Sequence, residues 1–473
     1  FDTHFIERAR QGRLVAQMVK LLNEGHTSVR GVGIDDRTAI CISPNGKGIV
    51  IGSGAVSVYR ADTATSIVVS GTQYEINNLL VTQMVSGWEY DFVNSTVSTV
   101  PASVRPFSPG SGASFSSNVY LTGGNYQQVA HTAMLNEVAQ KAAGGTIVII
   151  AGSAYLSQAN SIQTVLQSAG ASTEVVSYST SSETDTALIS RISQAAAVVF
   201  TGNDVTALKP LTLPGSAIGS LLKTRIVSPV FISVFIGETS RLAAEAFADD
   251  LFADQYAAYR GKMTHKTGLG AIRGFSYGPL TFDNSTYHET RMSAVLWSAF
   301  KGGLSAGMYE HGIGTYRFDP ATQSIYYKGF PFFWFDFSEA TLADSSVYRA
   351  SGSIGPRQAV AFDRYRISAS NNYTRTYNTQ TRKFADTPVS VREPSHFPTG
   401  FGLRVYPNPF NPECRVLIDS PSDGFTEISL HSITGEKVST LHSGELPEGT
   451  SVLTLNGSSL PSGIYFISVQ RAG

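Results

Sequence analysis

The chain has 473 residues, of which 42% are hydrophobic, so it is long enough for about three packed domains and is not globally disordered. Its 35 Lys and Arg residues and 36 Asp and Glu residues give a net charge of −1, which excludes the basic field typical of nucleic-acid binding. With Cys41 and Cys414 as its two cysteines, neither a disulfide framework nor a cysteine-based metal site is expected. No apolar run approaches the ~20 residues of a membrane-spanning helix, so no membrane span is expected.

Both ends of the sequence suggest a fragment of a longer protein. The chain opens at Phe1 without a methionine or a signal peptide, and it stops just after the strand-like run that begins at Gly463. Only 15% of the residues are charged, and glycine, serine and threonine are abundant, which favours a secreted, loop-rich bacterial protein. We therefore expect a fragment, truncated at both ends, of an exported parent.

Residues 1–93 are predicted to begin with a helix and to continue with a β-hairpin. The apolar residues of the helix fall near one face: Phe5, Leu14, Met18, Leu21 and Leu22. The hairpin strands, 38–42 and 48–51, meet at an Asn-Gly turn, which is a strong hairpin signal. Residues 94–118 are rich in Ser, Thr, Pro and Gly without a period, a composition typical of a linker.

Residues 119–383 alternate short apolar strands with amphipathic helices. Strands are predicted at 146–151, 196–200 and 230–235, and helices at 127–142, 160–169 and 183–194. Near-continuous apolar strands separated by helices predict an α/β fold, in which helices cover both faces of a parallel sheet. After a linker at 384–403, residues 404–473 show short strands between regularly spaced glycines, which predicts a small all-β sandwich.

An internal repeat links the first segment to the third. Near the start, Phe5-Ile-Glu-Arg leads to Arg30-Gly-Val-Gly-Ile, and far downstream Tyr287-His-Glu-Thr leads to His311-Gly-Ile-Gly-Thr at a similar spacing. We interpret the first segment as the C-terminal part of a unit whose whole second copy is residues 119–383. The first copy then lacks its N-terminal half, and the two copies are candidates for an intramolecular pseudo-dimer.

The opening segment, Asp2-Thr-His-Phe-Ile-Glu-Arg-Ala-Arg-Gln-Gly-Arg-Leu, holds the residues with the clearest chemistry. Asp2 is predicted as the N-cap of the helix, and His4 and Arg8, four residues apart, then share a face. A histidine beside an acid is suited to act as the general base for a serine nucleophile. The guanidinium groups of Arg8, Arg10 and Arg13 suit the recognition of carboxylates. The alternative is a solvated, basic first turn with a capping aspartate.

This segment, with Gly31-Val-Gly-Ile-Asp-Asp-Arg-Thr-Ala and Gly52-Ser-Gly-Ala-Val-Ser-Val-Tyr, resembles the cyanophycinase family of serine peptidases over residues 1–93. The resemblance implies a flavodoxin-like, class I amidotransferase-like α/β fold and hydrolysis of cyanophycin (a β-Asp-Arg polymer) or related isoaspartyl peptides. It implies that His4 is the catalytic base. The substrate-binding rim that it implies consists of Asp2, Thr3, Arg8, Arg10 and Arg13. The family usually has Gln at the position of Thr3.

The nucleophile of that family is a serine on a sharp strand-to-helix turn, in Gly-Thr-Ser-Ala-Gly-Ala, and no such motif follows a predicted strand in this chain. For the first copy it would lie upstream of Phe1. In the second copy, alignment on Gly237 places Phe235 at the serine position. Thr286 or Ser285 then falls at the histidine position. The second copy is therefore predicted to be degenerate and catalytically inactive.

The other polar residues favour structural roles. Ser233 is predicted to face a packed layer and Ser240 to lie on a surface helix. The alternative is that one of them is a displaced nucleophile, which the lack of a histidine beside either disfavours. Asp35 and Asp36 are predicted to form a solvated loop that fixes Arg37, with a metal or acid pair as the alternative. Five histidines are expected to be surface or packed residues: His131, His265, His288, His311 and His396. No metal is expected, because no cluster of His, Asp and Glu has ligand spacing. No cofactor is expected, because the glycine loops are weak phosphate signals.

The C-terminal segment carries a second resemblance. Its motifs Val405-Tyr-Pro-Asn-Pro-Phe-Asn-Pro, Leu430-His-Ser-Ile-Thr-Gly-Glu-Lys-Val and Leu460-Pro-Ser-Gly-Ile-Tyr-Phe-Ile-Ser-Val resemble a type IX secretion sorting domain without its last strand. The resemblance implies that the type IX secretion machinery exports the protein to the cell surface or the medium. The alternative is an ordinary extracellular fibronectin-like module.

Two functions are consistent with these patterns. The first is a secreted serine-type peptidase that acts on a peptide or a cyanophycin-like polymer, with its nucleophilic serine upstream of this fragment. The second is a pseudoenzyme, an exported binding or adhesion module that has lost catalysis in both copies. In either case the fragment alone is expected to be inactive.

Overall fold

The computed structural model describes residues 1–110, 112–124, 129–249, 254–281, 287–310, 314–329, 331–350 and 352–385, and then 402–406, 408, 410, 412–432, 436–447, 449–461 and 463–471. The chain divides into two compact units, Phe1–Pro388 and Val389–Gly473. Most of the linker predicted at 384–403 lies outside the described residues.

The elements of the first unit are given in chain order. Those that begin before residue 118 are β1 (Asp2–Thr3), α1 (Gln11–Asn23), β2 (Arg30–Ile34), β3 (Thr38–Ile42), β4 (Lys47–Gly52), β5 (Val56–Arg60), β6 (Ser66–Ser70), β7 (Gln73–Met84), β8 (Glu89–Asp91), β9 (Thr96–Thr99) and β10 (Arg105–Pro106). Next come β11 (Asn118–Thr122), α2 (Val129–Lys141), β12 (Thr146–Gly152), α3 (Leu156–Ser168), β13 (Ser172–Tyr178), α4 (Thr186–Gln194), β14 (Ala197–Gly202), α5 (Ala217–Arg225) and β15 (Ile232–Gly237). The last are β16 (Ala246–Asp249), β17 (Thr264–Thr267), β18 (Phe275–Gly278), α6 (Glu289–Gly302), β19 (Ala306–Tyr309), β20 (Thr315–Asp319), β21 (Ser324–Lys328), β22 (Phe332–Asp336), β23 (Leu342–Ser345), β24 (Val360–Ser370), β25 (Thr374–Asn378) and β26 (Lys383–Phe384).

A nine-stranded sheet carries the predicted α/β architecture, in the order β13-β12-β14-β15-β11-β20-β21-β25-β26. Its first five strands are parallel, and the other four extend the sheet in antiparallel fashion. Strand β12 shows why its sequence is a continuous apolar run. Val148 and Ile150 belong to one core cluster and Ile147 and Ile149 to another, because both faces of the strand are covered.

An eleven-stranded sheet draws strands from both predicted copies. Its main path is β1-β2-β5-β7-β24-β22-β19-β18, with β6, β10 and β23 beside it. The outermost pairs of this path, β1 with β2 and β18 with β19, are parallel, and the inner pairs are antiparallel. Helices α1 and α6 bury their apolar faces in the same core cluster. The predicted domains 1–93 and 119–383 therefore lie in one compact unit rather than two.

The path of this sheet reads the same from either end. β1, α1, β2, β5 and β7 take the places that β18, α6, β19, β22 and β24 take in the other half. The smaller antiparallel sheet β3-β4-β8-β9 likewise corresponds to β20-β21-β25-β26. Because β19 takes the place of β2, the counterpart of the Arg30 motif begins at Ala306 and not at His311, which lies outside the described residues.

Two local predictions are wrong. Residues 94–118, predicted as a linker, contain β9 and β10, and they bury Phe107 and Phe115 in the core. Helix α1 begins at Gln11, with Arg10 at its N-cap position, so Asp2 is not the N-cap. Asp2 lies instead in β1, beside β2. The predicted apolar face is present further along the helix, where Leu14 and Met18 are buried.

The second unit is built from strands in its described residues. These are β27 (Gly402–Tyr406), β28 (Glu413–Ser420), β29 (Gly424–Ser432), β30 (Lys437–Leu446), β31 (Gly449–Asn456) and β32 (Tyr465–Arg471). They form two antiparallel sheets, β27-β28-β31 and β30-β29-β32, and both contribute to one apolar core that includes Val416, Ile418, Ile428 and Leu430. Across the described part of both units, no helix is long and apolar enough to cross a membrane.

Candidate functional site

His4 lies on an exposed turn at the carboxyl end of β1. Its backbone has a φ of +49°, which is rare outside glycine. The turn is fixed on both sides: the Phe5 amide donates to the Ile34 carbonyl at 3.1 Å, and the Arg8 amide donates to the His4 carbonyl at 3.3 Å. The His4 side chain is 48% exposed. The predicted helical face shared by His4 and Arg8 does not exist, because both residues precede α1.

The structure pairs three of the predicted rim residues with one another. The Asp2 carboxylate, which is 8% exposed, accepts hydrogen bonds from Arg10 Nη1 at 3.0 Å and from Arg13 Nε at 2.9 Å. Arg10 Nη1 also donates to the Thr3 carbonyl at 2.7 Å. Thr3 and Arg8 are exposed. Of the predicted rim, Asp2, Arg10 and Arg13 are thus held in local ion pairs, with Arg13 also partly exposed, while Arg8 and Thr3 are exposed.

Asp36 is the acid that lies beside His4, and the sequence reading did not assign it that role. Its Oδ1 atom is 3.7 Å from His4 Nδ1, longer than a hydrogen bond but within ion-pair distance. The two residues meet because β1 and β2 are parallel neighbours, with Thr3 opposite Ile34, so the chain leaves both strands at the same edge. The carboxyl edge of parallel strands is where α/β proteins bind ligands. The signal that would have found the pair is this strand pairing.

Asp35, predicted to be solvated, is 5% exposed and holds the two loops together. Its carboxylate accepts hydrogen bonds from the Ala55 amide at 2.8 Å and the Ile6 amide at 3.3 Å. Burial raises the pKa of Asp35 well above its usual value. The prediction for Asp36 agrees better with the structure: it is 39% exposed and lies 3.9 Å from Arg37 Nε.

The second half of the unit has a sharp strand-to-helix turn at the end of β15. Strand β15 ends at Gly237, whose φ is +74° and ψ −147°, and a 3₁₀ helix, Glu238–Ala243, follows at once. The positive φ at this turn is a conformation that glycine adopts readily, and Gly237 is buried. Phe235, predicted to hold the serine position, lies two residues earlier, buried and stacked on Phe200 with 4.8 Å between ring centroids.

The counterpart of His4 in the second half is Leu280. It follows β18 as His4 follows β1, and its φ of +52° matches the +49° of His4. The next residue, Thr281, donates its amide to the Glu310 carbonyl at 2.8 Å, as Phe5 does to Ile34. Thr286 and Ser285, predicted at the histidine position, lie outside the described residues. Neither residue of a Ser–His pair is therefore present at these two matched turns.

Charged side chains form hydrogen bonds with the loops around these two turns. Arg291 Nη1 donates to Glu238 Oε1 at 2.8 Å and to the Pro279 carbonyl at 3.2 Å, which joins the turn at Gly237 to the loop before Leu280. Glu310, fully buried, accepts hydrogen bonds from the Gly123 amide through Oε2 and from the Gly314 amide through Oε1, each at 3.1 Å. Arg291 therefore connects the loops that carry Gly237 and Leu280.

The remaining candidate residues have structural surroundings. Ser233 is buried in β15, as predicted, whereas Ser240 is buried and donates to the Gly237 carbonyl, so its predicted surface position is wrong. His131 is buried, with Nε2 2.8 Å from Thr122 Oγ1. His288 contacts the Thr281 carbonyl, and His265 lies on β17. His311 and His396 lie outside the described residues, and among those described no His, Cys, Asp and Glu cluster could hold a metal.

Gly237→Ala is expected to destabilise the first unit. A positive φ costs a non-glycine residue about 1–3 kcal/mol, and an added Cβ would lie 2.6 Å from the Gly202 carbonyl oxygen. Gly215→Ala is the matched control, because Gly215 has a φ of +87° but nothing within 4 Å of its Cβ position. Urea denaturation should show the larger loss for Gly237→Ala, and equal losses would contradict the close packing at this turn.

Comparison with known proteins assigns the C-terminal unit. Residues 404–473 match the family model described as a secretion system C-terminal sorting domain. The protein carries a type IX secretion sorting domain. That domain indicates a secreted or cell-surface protein that is a client of the type IX secretion machinery.

Comparisons for the rest of the chain are distant. No curated protein matches the chain. It is similar to a solved structure titled "Crystal structure of a peptidase from an acI-B1 Actinobacterium", with 12% identity and a TM-score of 0.37. The similarity covers 50% of this chain and 96% of that chain.

Proposed function

We propose that this protein is part of a secreted, cyanophycinase-like serine-type peptidase, in which His4 is the general base and Asp36 orients it. The observation that supports the proposal is the exposed His4–Asp36 pair, 3.7 Å apart at the carboxyl edge of β1 and β2. In the acyl-transfer reaction, His4 would take the proton of a serine hydroxyl as that oxygen attacks the substrate carbonyl. Asp36 would stabilise the imidazolium that forms.

The serine is proposed to come from a segment equivalent to residues 118–243 that precedes Phe1 in the parent polypeptide. In the second half, β20 pairs on one side with β21 and on the other with β11, the first strand of that segment. The corresponding strand β3 pairs with β4 alone among the described strands. On these two strands Ile42 is 47% exposed and Ile49 is 43% exposed. A preceding segment that paired with β3 would cover this surface and bring its own strand-to-helix turn to His4.

We propose that the substrate is cyanophycin or a related isoaspartyl peptide, bound by Arg8, Arg13 and Thr3 around His4. Arg8 and Arg13 are exposed arginines close to His4 in the sequence, and guanidinium groups bind carboxylates in a bidentate manner, as Arg13 already does with Asp2. In this proposal Asp2 and Arg10 support the rim through their ion pair. The symmetric order of the eleven-stranded sheet supports a tandem duplication in which the inactive second copy acts as a built-in partner of the first.

The decisive experiment replaces His4 with Ala in the polypeptide extended upstream through the missing α/β segment. Loss of a general base is expected to lower kcat/KM for cyanophycin by about 10²–10⁴-fold, measured as release of β-Asp-Arg dipeptides. His26→Ala is the control, because His26 is an exposed histidine of the same segment, beyond the end of α1. Undiminished turnover by His4→Ala would overturn the assignment.

A second candidate function is an exported binding module without catalysis. Gly237 and Leu280 support it, because they occupy the two turns of the second half where a nucleophile and a base would be expected. If the upstream turn also lacks its serine, the extended protein is expected to bind cyanophycin in equilibrium dialysis without cleaving it. Binding would then weaken in Arg8→Ala and be unaffected by His4→Ala.

A further inference from the structure

Arg357, from the second half of the unit, reaches into the site that contains His4. It is 1% exposed and lies three residues before β24, the strand through which the second half of the large sheet joins the first. Its Nη1 donates to the Asp36 carbonyl at 2.7 Å and to Ser53 Oγ at 3.2 Å. Its Nη2 donates to Glu7 Oε1. One guanidinium group thus binds the turn that carries His4 and the loop that carries Asp36.

Glu7 closes this arrangement from the other side. The same oxygen, Oε1, accepts the amide of Asp36 at 2.8 Å. The Asp36 backbone is therefore held through its carbonyl by Arg357 and through its amide by Glu7, and Glu7 is three residues from His4. The geometry of the His4–Asp36 pair depends on both contacts, because the two side chains themselves are partly exposed and lie 3.7 Å apart.

Arg357 lies between two glutamates. Glu289, the first residue of α6, accepts a hydrogen bond from Arg357 Nε at 2.5 Å. The Tyr259 ring lies 5.3 Å from Arg357 Cζ. Burial raises the pKa of Glu7, the nearby carboxylates raise that of Arg357, and Asp35 is a further acid in this cluster. A buried cation that serves several carboxylates and a carbonyl needs the directed donors of a guanidinium group.

We propose that Arg357 is a positioning residue for the His4–Asp36 pair, so that the second half, inactive at its own turns, is an obligatory part of the site in the first half. The alternative is that Arg357 only stabilises the junction between the halves. The two roles predict different results for a folded variant of Arg357. Only a positioning role predicts that the environment of the His4 imidazole changes when Arg357 is replaced. The proposal rests on the proposed role of His4, but its test needs no turnover.

The test follows the His4 imidazole by NMR in this 473-residue chain labelled with ¹³C-histidine. His4→Gln assigns the signal among the nine histidines, and Asp36→Asn defines the shift caused by loss of the pair. Arg357→Gln is expected to move the His4 signal most of the way to its position in Asp36→Asn, and the double variant should move it no further. Ethylguanidinium added to Arg357→Ala is expected to restore part of the shift.

Arg366→Gln is the control, because Arg366 also binds two carboxylates, those of Asp62 and Glu339, away from His4. It should leave the His4 signal unchanged. If Arg357→Gln does not fold, Arg357→Lys takes its place. Lysine keeps the charge, but its single ammonium group cannot replace all the directed donors, so His4 should still shift. A folded variant of either kind with an unmoved His4 signal would overturn the proposal. A lower free energy of unfolding without a His4 shift would point to the junction role instead.

Discussion

In a bacterium that has type IX secretion, removal of residues 404–473 is expected to retain the protein in the periplasm. The intact and truncated chains would be placed behind the same cleavable export signal and compared by immunoblot of medium, cell surface and periplasm. The intact chain should reach the surface or the medium, because those residues form the sorting domain. The truncated chain should accumulate in the periplasm, since the first unit forms its own compact core without them.

A point variant separates loss of the folded sorting domain from loss of chain length. Ile428 is fully buried in the core between the two small sheets, so Ile428→Asp places an unpaired charge there and should block export as deletion does. Val438, on β30, is 41% exposed, and Val438→Asp should be exported normally. Export of the deletion variant at the level of the intact chain would contradict the role of this unit as the export signal.

The local pattern of apolar residues and turn signals predicted those elements whose own sequence reflects which of their faces are buried. The apolar run at 146–151 became β12, whose two faces are both covered, and the Asn-Gly turn became the hairpin of β3 and β4. The same logic failed at residues 94–118. Their Ser, Thr, Pro and Gly content resembles a linker, yet Phe107 and Phe115 insert into the core formed by distant strands. Two aromatic side chains outweighed the composition of the whole segment.

The site was predicted in part, since His4 came from a motif and Asp36 did not. Their contact depends on the parallel pairing of β1 with β2, and no local period encodes which strands become neighbours. Arg357 is 321 residues away from Asp36 in the sequence, so no local pattern could predict the hydrogen bond between them. At the second-half turn, the residue with the positive φ is Gly237, whereas the sequence alignment placed the serine position at Phe235. The backbone φ reveals the turn, and the sequence does not report it.

Arg241→Met is expected to cost the first unit about 3–5 kcal/mol of unfolding free energy, the usual cost of breaking a buried ion pair from one side. Arg241 is 1% exposed and lies in the 3₁₀ helix after Gly237. Its Nε atom lies 3.0 Å from Glu238 Oε2, and its Nη1 donates to the Ala248 carbonyl at 2.6 Å. Burial lowers the pKa of Arg241, while the carboxylates of Glu238 and Asp249 act in the opposite direction.

The methionine variant would leave the fully buried Glu238 with Arg291 as its remaining ion-pair partner among the described residues. Since Arg291 also holds the loop before Leu280, the loss should spread to both turns of the second half. Arg191→Met is the matched control: Arg191 pairs with Glu174 at 2.8 Å, but the two side chains are 47% and 32% exposed, so about 0–1 kcal/mol is expected. Urea denaturation at neutral pH compares the two. Equal, small losses would mean that the charges around Gly237 do not stabilise this turn, and the role given to Arg291 there would fail with them.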